Sequence, residues 1–193
     1  SGCGKSVLVR QVLEEIDSVE FSVSYTTRKR RNLEIEGKDY YFVNEDEFKR
    51  MIDKQKLIEW AIVHGNHYGT SRREVEKKGT GKDLLLDIDV QGAQQVIKKV
   101  KKAAFIFILP PGFQELKRRL EKRGDESPAL IKRRLEMAQK EVRHYPEFDF
   151  ILINDRLDKA VQDLKAIILS RRCRLDIQQK VILPILKSFA EGY

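Results

Sequence analysis

The chain opens on the stretch Ser1-Gly2-Cys3-Gly4-Lys5-Ser6, and a helical pattern begins at its last residue. Glycines allow a sharp backbone turn, and a helix that starts directly after such a turn directs its first backbone N–H groups back into it. The apolar side chains that mark this helix within residues 6–16 are Val7, Leu8, Val12, Leu13 and Ile16. The stretch therefore predicts a tight loop whose main-chain donors converge on one point.

The six residues match the last six positions of the P-loop pattern G-x-x-x-x-G-K-[ST]. In that pattern the loop N–H groups and the positive end of the helix hold phosphate oxygens. Lys5 is placed to reach the β- and γ-phosphates, and Ser6 to bind Mg²⁺. The ATP-binding residues predicted in this loop are Ser1, Gly2, Cys3, Gly4, Lys5 and Ser6.

The alternative interpretation of the loop is a glycine-rich turn before an ordinary helix. Acidic residues at the end of a later strand favour the P-loop, and Asp87-Ile88-Asp89 supplies them. The first glycine of the pattern is expected two positions before Ser1, after a strand that leads into the loop. We therefore expect the intact protein to be longer by roughly ten residues or more, enough for one strand and the start of the loop.

Apolar runs in the second half of the chain predict buried parallel strands. Leu84–Val90, Ala103–Leu109 and Phe150–Ile153 are almost continuously apolar, as in strands covered by helices on both faces. The predicted helices are Gln91–Val100, Phe113–Arg123, Pro128–Tyr145, Leu157–Arg174 and Ile177–Phe189. Pro184 is expected to end or kink the last of these. The alternation of strands and helices predicts an α/β fold with a doubly wound parallel sheet.

Residues 21–80 differ from the rest and are interpreted as an insertion. Phe21–Thr27 and the stretches 39–43 and 57–63 predict short strands, and Glu45–Lys56 predicts a helix with Phe48, Met51 and Ile52 facing inward. The inserted part is therefore expected to be mixed, with mainly antiparallel strands.

Composition limits the function classes without choosing among them. The chain has 193 residues, 41% hydrophobic and 35% charged, with a formal net charge of +8. This charge suits a partner nucleic acid or a small polyphosphate equally well. Apolar runs fall well short of the roughly 20 residues that a membrane span needs. Two cysteines far apart, Cys3 and Cys173, argue against a disulfide scaffold and for a reducing, cytoplasmic setting.

Four further segments, in this order and spacing, strongly resemble the guanylate kinase family. They are Ser22–Arg28 with its continuation to Tyr40, Ile58–Thr70, Leu86–Gly92 and Asn154-Asp155. The resemblance implies a P-loop NTPase-type core built from residues 1–20, 81–111 and 146–193. It further implies an inserted mixed α/β subdomain over 21–80 that binds the nucleoside monophosphate, and a helical lid over 112–145. The family usually has Pro at Arg30 and Gly at Leu33, so the local turn of that loop is expected to differ.

The resemblance also implies the activity and its partners. Guanylate kinases transfer the γ-phosphoryl group of ATP to GMP or dGMP, giving ADP and GDP, in purine nucleotide metabolism and GMP recycling. Mg²⁺ is the implied cofactor, and ATP and GMP are the implied partners, with neither nucleic acid nor membrane. A monomer or a homodimer is expected.

Glu59 matches the family position that recognises guanine. Guanine presents N1–H and a 2-amino group side by side, and one carboxylate can accept from both, whereas adenine lacks this donor pair. If adenine were bound instead, the buried carboxylate would be left without hydrogen-bond donors, and this cost makes the site reject adenine strongly. Ser24 and Thr70 match positions that hydrogen-bond the base, and the alternative for Glu59 is a solvated strand carboxylate.

The GMP phosphate is assigned by the same resemblance to a set of arginines and tyrosines, Arg28, Arg31, Tyr40 and Tyr68. Arginine offers a planar fork of donors to phosphate oxygens, and a tyrosine hydroxyl donates without adding charge. Lys29 and Arg30 are interpreted as solvated charges. Asp89 is preferred to Asp87 as the acid near the acceptor phosphate and, through water, near Mg²⁺ on Ser6.

The lid supplies the remaining predicted cations. Arg123 and Arg134 match arginines that close over ATP, Arg134 at the transferring phosphoryl group and Arg123 at the donor phosphates or adenine. Together with Lys5 and Arg31 they form the predicted catalytic set. Asn154 matches a position near adenine, although its place before a helix is explained equally well by a capping role.

Two other function classes stay in view. Guanylate-kinase-like domains also serve as non-catalytic protein-binding modules, but these typically lose the P-loop lysine and the lid arginines, which are present here. A nucleic-acid-binding protein would fit the charge, but the chain lacks the aromatic and basic interleaving of recognised binding motifs. His64, His67 and His144 do not predict a metal site.

Overall fold

The computed structural model of this chain describes residues 2–76, 81–122 and 127–191. The helices are α1 (Lys5–Glu15), α2 (Glu45–Asp53), α3 (Arg72–Glu76), α4 (Val90–Lys99), α5 (Phe113–Lys122), α6 (Pro128–Glu141), α7 (Leu157–Arg172) and α8 (Leu175–Ala190), with a 3₁₀ helix at Val142–Glu147. The strands are β1 (Val19–Phe21), β2 (Ser24–Thr26), β3 (Tyr40–Phe42), β4 (Leu57–Val63), β5 (Asn66–Ser71), β6 (Asp83–Leu85), β7 (Ile106–Leu109) and β8 (Phe150–Ile153). Among the described residues, no helix is both long and apolar enough to cross a membrane.

Two parallel strand pairs carry the α/β part of the fold. β1 pairs with β6, with Glu20 opposite Leu84, and β7 pairs with β8, with Phe107 opposite Ile151. Each pair joins strands far apart in the chain, as parallel pairing through intervening helices requires. The predicted α/β class with parallel strands is confirmed.

One hydrophobic cluster holds the two pairs together. Leu8 and Val12 of α1 and Leu164 of α7 are almost fully buried in it, and strand residues from both pairs pack against them. The strand residues of this cluster are Val19, Leu85, Ile106, Ile108 and Leu152. The core therefore lies between α1, α7 and the two strand pairs.

The inserted stretch folds into a four-stranded mixed sheet of order β3-β2-β5-β4. β2 runs parallel to β3, while the β2–β5 and β4–β5 pairings are antiparallel. The β4–β5 hairpin turns at His64 and Gly65, both at positive φ (51° and 82°), with Val63 opposite Asn66. Two successive positive φ values are those of a type I′ turn, whose twist matches that of the flanking strands. The prediction of a mixed, mainly antiparallel insertion is confirmed.

Several element predictions need correction. The predicted strand Phe21–Thr27 is two strands in different sheets, because β1 pairs with β6 and β2 with β3 and β5. The predicted strand Leu84–Val90 ends at Leu85, and its last two residues are instead the N-cap Asp89 and the first residue of α4. Burial on both faces is wrong for β8, where Ile151 and Ile153 are 44% and 57% exposed.

Two helix predictions also differ at their ends. The helix predicted over Pro128–Tyr145 stops at Glu141 and continues as a 3₁₀ helix, with Pro146 near its end. Pro184 lies inside α8, which continues to Ala190, so the proline does not end the helix. α8 is exposed from Gln179 to its end, and water can satisfy the carbonyl that Pro184 leaves without a donor.

Candidate active site

The phosphate loop, residues 2–6 as described, depends on two glycines in the left-handed region. Gly2 has φ +82° and Gly4 has φ +89°, a conformation that other residues adopt only with strain. A Cβ on Gly4 would collide with the side-chain nitrogen of Asn154, and one on Gly2 would lie 2.9 Å from atoms of Leu116 and Leu120. Glycine is required at both positions by conformation and by space. Ser1, predicted to bind ATP, lies outside the described residues.

Asn154 anchors this loop from the end of β8. Its Nδ2 donates to the carbonyl oxygen of Cys3 at 2.8 Å, and the residue is 5% exposed. The interpretation of Asn154 as a helix cap is wrong, because the N-cap of α7 is Arg156. The contact with adenine stays a prediction.

Lys5 and Ser6, at the start of α1, meet Asp87 in the segment after β6. The Lys5 Nζ lies 3.5 Å from Oδ1 of Asp87 and donates to the carbonyl oxygen of Ile88 at 3.1 Å. The Ser6 hydroxyl donates to Oδ2 of Asp87 at 3.2 Å. Burial acts to lower the pKa of Lys5, but Asp87, Cys3, Asp89 and Glu141 raise it by more, so the ammonium stays charged.

The two carboxylates of this segment have different places. Asp89 is the N-cap of α4, where its Oδ1 accepts from the N–H of Gly92 at 2.8 Å. The sequence favoured Asp89 as the acid beside Ser6, but the structure places Asp87 there, two residues earlier in the chain. The charge of Asp89 raises the pKa of both Lys5 and Glu59.

Glu59, Thr70 and Ser24 form a buried cluster, the carboxylate pocket, on three strands of the mixed sheet. Glu59 on β4 is 3% exposed, and its Oε1 accepts from the Thr70 hydroxyl of β5 at 2.5 Å. The Ser24 hydroxyl of β2 lies 3.5 Å from that of Thr70. Because Thr70 gives its proton to Glu59, Ser24 is the donor in this longer contact. The interpretation of Glu59 as a solvated strand carboxylate is wrong.

Burial dominates the titration of Glu59. It raises the pKa of this carboxyl to about 7, against the lowering effect of the hydrogen bonds from Thr70 and with a further increase from the charge of Asp89. The pocket therefore holds a carboxylate that lacks most of its hydration and gains from additional N–H donors.

Arg28 lies at the centre of a second cluster, which we call the arginine–tyrosine cluster. Its Nη1 and Nη2 donate to the two oxygens of Glu34 at 3.0 and 2.6 Å, and its Nε donates to the Tyr68 hydroxyl at 3.2 Å. The guanidinium also lies over the ring of Tyr40, 5.4 Å from its centroid. The bond to Glu34 raises the pKa of Arg28 against the effect of burial, so Arg28 is a fixed cation.

Tyr40 and Tyr68 pack edge to face, with ring centroids 5.8 Å apart. Burial, followed by the charge of Asp87, raises the pKa of Tyr40 to about 12, so its hydroxyl keeps its proton. Asp87, which Lys5 contacts, thus also acts through its charge on Tyr40 of the arginine–tyrosine cluster. Residues 87–89 are therefore linked to all three groups: Asp87 contacts Lys5 and Ser6, and the charges of Asp89 and Asp87 act on Glu59 and Tyr40.

The remaining predicted cations are Arg31, Arg134 and Arg123. Arg31 is exposed, and its backbone N–H donates to Glu34 at 2.8 Å. Arg134 is half-buried in α6, the helix that ends at Glu141, whose charge acts on Lys5. Arg123 lies outside the described residues.

The histidines have structural partners. His67 packs against Phe48 and Trp60, and Nδ1 of His144 lies 2.7 Å from Glu147. Within the described ranges, no group of three or more His, Cys, Asp or Glu side chains could hold a metal ion. Cys3 is a buried free thiol and Cys173 an exposed one.

Sequence reasoning assigned no role to two residues of this site, Glu34 and Gly92. The carboxylate of Glu34 accepts from the guanidinium of Arg28, six residues earlier. The two residues are joined by a loop, which has no sequence periodicity that would predict this contact. Gly92 was quoted within a motif without a role, yet it lies directly against Glu59. An acid near Arg28 was a weak signal for Glu34, while nothing in the sequence pointed from Gly92 to Glu59.

Comparison with known proteins gives one family throughout. The guanylate kinase family model matches residues 1–171. Guanylate kinase of Dechloromonas aromatica is 51% identical over 169 residues, covering 87% of this chain and 84% of that protein, and guanylate kinase of Escherichia coli (strain K12) is 46% identical over 183 residues, covering 93% and 88%.

A solved structure agrees with the sequence comparisons. The crystal structure of guanylate kinase from Anaplasma phagocytophilum is similar to this chain with a TM-score of 0.75 and 33% identity. The similarity covers 87% of this chain and 81% of that one.

Proposed function

The chain belongs to the guanylate kinase family, and from this we propose how its own residues transfer the γ-phosphoryl group of ATP to GMP or dGMP. The products are ADP and GDP, and the enzyme is a nucleoside monophosphate kinase. We assign the acceptor to residues 21–80, the donor to the phosphate loop of a core formed by 1–20, 81–111 and 146–193, and a lid to 112–145.

The observation that carries the acceptor assignment is the buried carboxylate of Glu59. Its Oε1 accepts from Thr70, which leaves Oε2 and the remaining lone pairs for two further donors. The N1–H and 2-amino groups of guanine are such a pair, whereas adenine offers no matching donors. The Ser24 hydroxyl has only a long contact, 3.5 Å, with the Thr70 hydroxyl. It is therefore available to donate a hydrogen bond to the carbonyl oxygen of guanine. Leaving a buried acceptor unpaired is the basis for rejecting adenine.

The acceptor phosphate is assigned to the arginine–tyrosine cluster. Arg28 has five N–H donors, and Glu34, Tyr68 and the carbonyl of Lys29 use four of them among the described residues, leaving one on Nη2. Tyr68 accepts from Arg28, so its own proton is free to go to a phosphate oxygen. Tyr40 keeps a proton to donate, and Arg31 adds an exposed cation at the rim.

The donor phosphates are assigned to the phosphate loop. Gly2, Cys3 and Gly4 present backbone N–H groups at the positive end of α1, and Lys5 adds a charged ammonium. Asn154 keeps the loop in shape through the Cys3 carbonyl and lies beside the position proposed for adenine.

Mg²⁺ is the metal that we propose for the donor site. The Ser6 hydroxyl and the Asp87 carboxylate, 3.2 Å apart, are hard oxygen ligands of the kind Mg²⁺ prefers. Two protein ligands suffice, because Mg²⁺ usually takes the others from phosphates and water. When bound, the ion neutralises negative charge on the phosphate oxygens. Asp89, through water, is the secondary candidate.

Transfer requires alignment and cations more than covalent chemistry. Lys5 and Arg31 hold the two phosphates in line, and Arg123 and Arg134 of the lid complete the positive surround of the transferring group. Closure of the lid keeps water away from the γ-phosphate, so that GMP and not water receives it. Two unpaired cysteines support a reducing cytoplasmic setting for this reaction.

An ADP-release assay with GMP, dGMP, AMP, CMP and UMP as acceptors tests the proposal. We expect turnover with GMP and dGMP, a loss of about 10²-fold or more in kcat with Lys5→Ala, and loss of GMP selectivity with Glu59→Ala. Lys180→Ala and Glu14→Ala, at exposed positions on α8 and α1, are the matched controls and should match the parent. Equal rates with AMP and GMP would contradict the role of Glu59.

A further inference from the structure

Helix α4 lies along strand β4 and contacts it at three positions of one helix face. Gln95 accepts from the N–H of Trp60 at 3.2 Å and donates to the carbonyl of the same residue at 2.6 Å. Lys99 donates to the carbonyl of Ile58. Gly92, three residues before Gln95, lies against Glu59, which stands between Ile58 and Trp60 on β4. The helix therefore holds the backbone on both sides of the guanine-recognising carboxylate.

Gly92 leaves room for that carboxylate. A Cβ at this position would stand well inside van der Waals contact of Oε2 of Glu59 and 3.1 Å from its Cδ. It would also lie 3.3 Å from Oδ1 of Asp89, the cap of the same helix. The carboxylate of Glu59 thus occupies the space that a side chain at position 92 would need.

Backbone conformation does not explain a glycine here. Gly92 is in the first turn of α4 and is not among the described glycines with positive φ. In a regular helix glycine is less favourable than alanine. The reason for glycine at this position is the space taken by Glu59.

We propose that Gly92 is a positioning residue for guanine specificity. By lacking a side chain, it lets the Glu59 carboxylate lie against α4 with Oε1 on Thr70 and Oε2 directed to the base. The proposal rests on the assignment of Glu59 to guanine. A methyl group at position 92 would push the carboxylate away from α4 and out of line with the two guanine donors.

Gly92→Ala is the direct test, measured as KM for GMP and kcat. We expect KM for GMP to rise about tenfold or more, as for an ångström-scale displacement of a substrate-binding group, with kcat changed little at saturating GMP. Lys98→Ala, at an exposed position of the same helix, is the matched control and should keep the parent KM.

A double-mutant cycle shows whether Gly92 acts through Glu59. In a Glu59→Ala background, Gly92→Ala should add almost nothing to KM, because the group it displaces is gone. A Gly92→Ala enzyme with the parent KM, beside an impaired Glu59→Ala enzyme, would overturn the positioning role alone. Parent-like KM in Glu59→Ala would overturn the guanine contact itself and the inference with it.

Melting temperature decides the outcome if Gly92→Ala folds poorly. The collision is with the carboxylate, so removing that side chain in Gly92→Ala/Glu59→Ala should restore the melting temperature to that of Glu59→Ala. A double variant that stays as unstable as Gly92→Ala would show that the methyl group meets something else, and would overturn the proposal.

Discussion

At the scale of single residues, burial and charge oppose each other in this site, and Glu59 is the clearest case. The role that we propose for it needs a charged carboxylate, whereas its burial favours the neutral acid and raises its pKa to about 7. The family motif predicted that Glu59 recognises guanine, which stays a proposal, but it did not predict this titration, which depends on packing around the carboxyl. The contact of Glu34 with Arg28 was not predicted either, because it depends on the conformation of the loop between them.

The binding of GMP should therefore depend on pH near neutrality. Only the ionised form of Glu59 accepts from both guanine donors, and lowering the pH through a pKa of about 7 protonates it. We expect KM for GMP to rise by about tenfold between pH 8 and pH 6.

Glu59→Gln supplies the control for this profile. The variant should have a high KM that changes only with the titration of the GMP phosphate itself, so the difference between the two profiles isolates Glu59. Parallel profiles for parent and variant would contradict a Glu59 pKa near 7.

At the scale of elements, the loop before α1 is held by Asn154, the residue that follows β8. The sequence predicted the loop and α1 from two glycines, a lysine and a helical pattern, all of them local. It could not decide between the adenine contact and the helix cap for Asn154, and the structure shows a third role, the bond to the Cys3 carbonyl 151 residues away.

Asn154→Ala should loosen the phosphate loop. It leaves a buried carbonyl without its donor, which costs about 1–3 kcal/mol of unfolding free energy. KM for ATP should rise by about tenfold through misplacement of the loop N–H groups, with KM for GMP nearly unchanged.

Gln162→Ala, an exposed amide on α7, is the matched control for Asn154→Ala and should change neither quantity. Chemical denaturation and steady-state kinetics give both readouts. An unchanged KM for ATP in a destabilised Asn154→Ala enzyme would show that the anchor serves stability alone.

Across the whole molecule, two units are joined through α4. The core cluster packs α1 and α7 against both parallel strand pairs, while the mixed sheet carries the carboxylate pocket. α4 follows β6 of the core and is bonded to β4 of the mixed sheet through Gln95 and Lys99. We therefore expect that a mutation that destabilises the core also lowers the stability of the mixed sheet.

Leu8→Ala tests this coupling. Leu8 is completely buried in the core, so its truncation should lower the unfolding free energy by about 3 kcal/mol. Trp60 is the one tryptophan of the chain and lies on β4, so its fluorescence reports the mixed sheet. We expect the fluorescence and far-ultraviolet circular dichroism transitions to coincide and to shift together.

Leu33→Ala, at a side chain that is 94% exposed, is the control for Leu8→Ala and should stay within about 0.5 kcal/mol of the parent. A Leu8→Ala protein in which the Trp60 transition keeps its parent midpoint would show that the mixed sheet is stable without the core.

The sequence by itself determined the phosphate loop, the α/β class, the inserted mixed sheet and the family, because each depends on local spacing or on motifs in a fixed order. Only the tertiary structure decided that Asp87 and not Asp89 meets Ser6, that Asn154 holds the loop, and that Gly92 makes room for Glu59. These are contacts between distant segments, set by how the elements pack. A pattern along the chain records which side chains are available, while packing decides which of them touch.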